Sequence, residues 1–277
     1  MDIGAIISKL LNSVNPETIR QIKEDIERVP GLYSPLKWQS EFPEETDTAK
    51  IRKISEIFLR QPLRPYQALE LPAVLDHPIF NSGVMCDKDG KLINLLDETS
   101  FKAYCDEYHN KILMRVKFEE IILIRVREPY KTIFFKYCAP YLSKKDFATG
   151  LQAAWVDGEG TNYNPGYTIE ELLSWFKRAD KPLLMDKKEY KKYIGLPETV
   201  QLYRGMGRHH NLGISWTSSK EKAEWFAKRY SQQGYLANIV VPRSCILAFF
   251  ERENEYIVDI ASPDIDIKNL REKIIYK

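Results

Sequence analysis

Three short stretches late in the chain gather residue types able to break a glycosidic bond: Tyr203-Arg204-Gly205, Ser215-Trp216-Thr217 and Glu253-Asn254-Glu255. An arginine at a strand end presents a planar fork that grips a diphosphate or carboxylate through two parallel hydrogen bonds, which lysine does not match. The glycine beside it lets a ligand approach the main chain and reach an N–H and a C=O. On a strand, Ser215 and Thr217 share one face while Trp216 points to the other, so two hydroxyls are available to orient a ribose or a carboxylate. Glu253 and Glu255, at i and i+2, line one face of an extended segment. One carboxylate can then steady an oxocarbenium ion while the other takes a proton from, or aligns, a nucleophile, as in glycoside cleavage. Each stretch also has a plainer reading. These are a surface arginine before a turn glycine, ordinary β-propensity leading into a helix, and a solvated charged turn continuing Glu251-Arg252.

The elements that must position these residues begin after Pro197, where the texture of the chain changes. Residues 200–203 alternate as a strand should, with Arg204-Gly205 ending it, and 214–217 read as a second short strand. Ser218-x-x-Glu221 reads as the cap of a helix whose apolar face is Ala223, Phe226, Ala227 and Tyr230. Segments 235–241, 245–250 and 256–260 supply three more strands. One helix among five short strands predicts a small, mainly antiparallel sheet and not a parallel βαβ array.

Upstream the pattern is mostly helical. Ile3, Ile6, Ile7, Leu10 and Leu11 mark one helical face, and Asn15-Pro16 opens a second stripe through Ile19, Ile22, Ile26 and Val29. Ile51, Ile54, Ile57 and Phe58 face inward on another helix, residues 82–95 read as a hairpin, and 99–142 are helical again. Ser143-x-x-Asp146, Thr168-x-x-Glu171 and Asp186-x-x-Glu189 each cap a further helix. A soft boundary falls near residue 96. It separates a mostly helical region, 1–96, from a domain over 97–277 with a helical lead-in (97–196) and a β-rich core (197–277). Gly158-Glu159-Gly160 lacks the third glycine and the strand-to-helix turn of a dinucleotide fingerprint.

Composition narrows the function classes. With 41 basic and 39 acidic residues the formal charge is +2, which gives no chain-wide field for nucleic acid or a membrane surface and leaves only a local nucleic-acid patch open. The four cysteines are scattered singly and the four histidines lack zinc-ligand spacing, so neither a disulfide framework nor a metal site is expected. Asp2 stands where a signal peptide would be basic, and no apolar run approaches the ~20 residues of a membrane span, so a cytoplasmic protein is expected where it is made.

In combination and in this order, Tyr-Arg-Gly, a hydroxyl-aromatic-hydroxyl strand leading to Ala223-x-x-Phe226-Ala227, and Glu-x-Glu resemble the Arg-Ser-Glu class of mono-ADP-ribosyltransferases, bacterial and phage-type members included. The resemblance runs from about Leu196 to Asp259, extends weakly upstream through Trp155 and 168–178, and does not cover 1–96. It implies an α+β fold in which the helical N-terminal region precedes an ADP-ribosyltransferase-like split antiparallel sheet. It implies NAD⁺ as co-substrate and no metal. Arg204 matches the arginine on the pyrophosphate side of NAD⁺, and Gly205 the backbone position that takes the nicotinamide amide, next to Tyr203 in the binding strand. Ser215 matches the first serine of the family's Ser-Thr-Ser strand; here the middle residue is Trp216 and the last hydroxyl is Thr217. Glu255 matches the catalytic glutamate and Glu253 the upstream acid of arginine-directed members.

Three activities follow as expectations: transfer of ADP-ribose to a macromolecular acceptor, a protein arginine given Glu253; hydrolysis of NAD⁺ by a toxin or defence effector with the same site, delivered where needed into a target cytoplasm; and a non-catalytic module binding a partner, or a cognate inhibitor, through the N-terminal helices. The intact arginine, serine and glutamate set argues against the last.

Overall fold

The computed structural model describes residues 14–33, 41–65, 75–87, 89–157, 166–207, 212–229, 233–265 and 271–276. The apolar stripe at 3–11, the Gly158-Glu159-Gly160 loop and His209-His210 lie outside the described residues. The chain divides into two compact units, Met1–Tyr167 and Thr168–Lys277, a division that does not coincide with the expected boundary near residue 96.

The first unit is mostly helical: α1 (Pro16–Glu27), α2 (Thr48–Leu59), α3 (Glu98–Tyr108), α4 (Glu128–Cys138) and α5 (Lys144–Val156), with the two-stranded pairs β1 (Arg64–Pro65) with β2 (Leu75–Asp76) and β3 (Val84–Cys86) with β4 (Leu92–Asn94). The caps fall where the sequence puts them. Asn15 accepts from the Glu17 N–H ahead of a first-turn proline, and Ser143 accepts from the Asp146 N–H. The apolar stripe of α1 is buried at Ile19, Ile22 and Ile26, and α2 buries Ile51, Ile54, Ile57 and Phe58. Phe58 meets Phe134 of α4 edge-on at 5.1 Å, and Phe135 meets Phe147 of α5 at 5.1 Å, so aromatic rings fill the space between helices. Ile121–Arg125, ambiguous by periodicity, is a single wide turn with i→i+5 geometry.

The second unit opens with α6 (Ile169–Arg178) and α7 (Lys187–Ile194). Both carry complete capping boxes, Thr168 with Glu171 and Asp186 with Glu189. The sheet follows: β5 (Thr199–Met206), β6 (Ser215–Thr217), helix α8 (Lys220–Arg229), β7 (Gln233–Pro242), β8 (Ile246–Phe250), β9 (Glu255–Val258) and β10 (Arg271–Tyr276). It has six antiparallel strands in the order β10-β7-β5-β6-β9-β8, one more than the five expected, because Arg271–Tyr276 adds an edge strand to β7. The register divides it into two ladders of three. Among the described residues, β10-β7-β5 and β6-β9-β8 are joined at one register pair, Tyr203 opposite Thr217. The fold is thus α+β with antiparallel sheets. Among the described residues no helix is long and apolar enough to cross a membrane.

Two glycines seat α8 on the sheet. A Cβ on Gly205 would lie 1.9 Å from the Ala223 carbonyl oxygen, and one on Gly234 would lie 2.0 Å from that of Ala227. Ala223 and Ala227 are fully buried there with Leu236, and Tyr203 packs against the same cluster. Small residues on both surfaces let the helix axis approach the strands closely.

Candidate active site

The site is built on the join between the two ladders. Read straight across the strands, one row runs Arg271, Asn238, Tyr203, Thr217, Glu255, Phe250. Neighbouring strands are ~4.8 Å apart, so Tyr203 and Glu255 sit on backbones roughly 10 Å from each other with Thr217 between them. Three residues far apart in sequence therefore share one rung.

Arg204 lies one residue beyond that rung and is 7% exposed. The strand continues to Met206, so the expectation of a strand-end guanidinium is corrected: Arg204 sits inside β5. Nη1 donates to the Ser215 carbonyl on β6, so the guanidinium spans the join. Burial pulls its pKa down to about 10, and the nearby Glu255 carboxylate opposes that pull. Arg204 and Glu255 are therefore electrostatic neighbours, and the carboxylate favours the charged guanidinium.

Gly205 lies directly against α8. The space a side chain would take is filled by the backbone of α8, so the absent Cβ serves close helix packing on that face.

Ser215 is half-buried at the start of β6, and Thr217 is buried at its end. Trp216 points away from both as alternation requires; it is 3% exposed and its Nε1 donates to the Gly213 carbonyl at 3.0 Å. The Thr217 hydroxyl accepts from the Ser219 N–H at 3.2 Å and turns the chain into α8. The cap of that helix is corrected by one residue. Ser219 accepts from the Lys222 N–H, while Ser218 accepts from Asn254 instead.

The paired-carboxylate geometry is also corrected. Residues 251–254 form a turn, and Asn254 has φ 48, a left-handed conformation that ends any extended run through Glu253. Glu253 leaves the rung of Glu255, and its carboxylate pairs with Lys222 of α8 at 2.8 Å. Glu255 opens β9 opposite both Thr217 and Phe250. The turn is tied on its other side to α7, where the Glu251 N–H donates to Glu189 at 2.9 Å and Lys192 Nζ donates to Asn254 Oδ1 at 3.3 Å.

Asn254 was the residue sequence reasoning passed over. Its signal was present: asparagine between two charged residues is the side chain that tolerates the left-handed region. Asp259 is a second omission, buried at the end of β9 and paired with Lys177 of α6 at 2.7 Å.

Among the described residues no three His, Cys, Asp or Glu side chains gather as a metal site requires, and all four cysteines are free. A cavity of about 250 Å³ lies in the first unit, with Glu119, Ile122, Gln152 and Asp157 in its walls, and none of the candidate residues lines it. No protein-family model, no curated protein and no solved structure matches the chain.

Proposed function

We propose that the second unit cleaves the nicotinamide–ribose bond of NAD⁺ and transfers ADP-ribose to a macromolecular acceptor, with its sheet as a split ADP-ribosyltransferase core. The observation that carries this reading is the rung Tyr203–Thr217–Glu255 at the join of two ladders, braced by the buried guanidinium of Arg204.

The chemistry follows from that placement. The C1′–N bond breaks with its electron pair on nicotinamide, which leaves neutral, and the ribose is left as an oxocarbenium ion. Glu255 holds the 2′-hydroxyl and places negative charge beside that cation. An acceptor lone pair then forms the new bond to C1′ and its proton is lost. Arg204 lies in the electrostatic reach of Glu255 and fixes β6 through the Ser215 carbonyl, so the carboxylate meets the substrate in place. The Ser215 hydroxyl, on the half-buried end of β6, orients the ribose.

A second reading, hydrolysis of NAD⁺, has a specific observation in its favour. Glu253, the acid expected to receive an acceptor arginine, is occupied by Lys222 and turned off the rung of Glu255. Water needs no such partner.

Both readings meet one experiment. The purified chain is incubated with NAD⁺ labelled in the adenylate, with and without cell lysate. Label on macromolecules means transfer, and free ADP-ribose without lysate means hydrolysis. Glu255→Gln is expected to keep NAD⁺ binding within about threefold and to lower turnover by at least roughly a hundredfold, as loss of a transition-state charge contact does. Near wild-type turnover in that variant removes the assignment.

A further inference from the structure

We propose that Asn254 is the positioning residue of this site: it fixes Glu255 at the head of β9 by latching the 251–254 turn to the start of α8 and to α7. The inference rests on the glycosidic reading of Glu255. Asn254 is the one non-glycine residue with positive φ among the described residues. That conformation is strained for most side chains and cheapest for asparagine and aspartate. Its main-chain N–H closes the turn on the Glu251 carbonyl at 3.0 Å. Its side chain then works in two directions. Nδ2 donates to Ser218 Oγ at 2.8 Å and reaches Thr217 Oγ1 at 3.5 Å, while Oδ1 accepts from Lys192 Nζ at 3.3 Å.

These bonds decide where Glu255 begins. Thr217 ends β6 and Ser218 follows it toward α8, Lys192 belongs to α7, and Glu255 is the next residue along the chain. An amide uses its donor and its acceptor on opposite sides at once, which neither a carboxylate nor an ammonium does. A solvated charged turn has no need of such a grip. A shift of the carboxylate by about 1 Å is enough to cost on the order of a hundredfold in rate.

The test compares Asn254→Gly, which keeps the left-handed backbone and deletes the amide, with Ser218→Ala and the double variant. For NAD⁺ cleavage, Asn254→Gly is expected to lower kcat by about tenfold or more with KM within about threefold, since the latch positions and does not bind. Ser218→Ala is expected to lower kcat in the same sense, and the double variant no further than Asn254→Gly alone. Amide hydrogen exchange over 255–258 should quicken in Asn254→Gly while the melting transition stays in place. Unchanged kcat in both single variants overturns the proposal, as does a loss that appears only as a lower melting temperature. If the wild-type chain cleaves no NAD⁺, the glycosidic reading fails separately. The exchange measurement still decides the latch: faster exchange upholds it, and unchanged exchange overturns it.

Discussion

Replacing Gly205 by alanine separates two explanations for a glycine beside the site arginine. The added Cβ would fall 1.9 Å from the Ala223 carbonyl oxygen and 2.6 Å from the Ala227 nitrogen. Ordinary carbon contacts are roughly 3.5 Å, so α8 would have to retreat by about 1.5 Å. Both obstacles are helix backbone, and no side-chain rotation relieves them. A gap of 0.5–1 Å already forfeits about a quarter to a half of a dispersion well, so the contacts of Ala223, Ala227 and Leu236 would be largely lost. Overpacking of this severity costs about 3 kcal/mol. For a unit of this size that lowers the melting temperature by roughly 10 °C. Gly207 supplies the control, because a Cβ there meets nothing within 4 Å and Gly207→Ala should stay within about 0.5 kcal/mol of the parent. Calorimetric melting of the full chain and equilibrium binding of NAD⁺ read the two effects apart. If Gly205→Ala melts like the parent yet no longer binds NAD⁺, the helix-seating argument is wrong and the glycine serves the ligand.

His77 predicts an acid-labile first unit. Burial drops its pKa to about 3, and its Nδ1 already accepts from the Ile79 and Phe80 N–H groups at 3.0 Å. The unfolded chain takes up a proton near the ordinary value of 6.5 while the folded chain refuses it until about 3. Stability is therefore full above pH 6.5 and falls with acid by about 1.4 kcal/mol per pH unit, on the order of 5 kcal/mol in all. Urea midpoints between pH 7 and 4 should show this slope flattened in His77→Gln, and an identical slope in both proteins would refute it. Lys131, whose side chain is 4% exposed, pairs with Asp157 at 2.6 Å. Asp157→Asn should cost about 2 kcal/mol by removing the counter-charge of a buried ammonium that keeps its bond to the Leu123 carbonyl at 3.1 Å, and Lys131→Met distinctly less; equal urea midpoints for the two variants would contradict the argument.

How far the chain could be read in advance follows from which forces are local. The capping boxes of α6 and α7 were visible because Thr168 and Glu171, and Asp186 and Glu189, meet within one turn. The rung through Tyr203, Thr217 and Glu255 was half visible. Alternation assigns each residue a face, but only the register between strands brings the three side by side. Arg271–Tyr276 was missed because Arg-Glu-Lys before two isoleucines does not alternate, and its partner β7 lies more than thirty positions away. The Glu-x-Glu pair was misplaced for a different reason: i and i+2 share a face only while the residue between them is extended, and Asn254 is not. Gly205 shows the same limit. Sequence marks a place where something approaches closely, and the fold decides whether that is a ligand or a helix.

Joining two ladders at a single rung bears on how sequences of this kind can drift. A substitution within β10-β7-β5 away from the seam need not be matched within β6-β9-β8, since among the described residues the two ladders meet at Tyr203 opposite Thr217 and at the Arg204–Ser215 hydrogen bond. Each half is free to diverge by its own rules of packing, and the shared constraint falls on the seam.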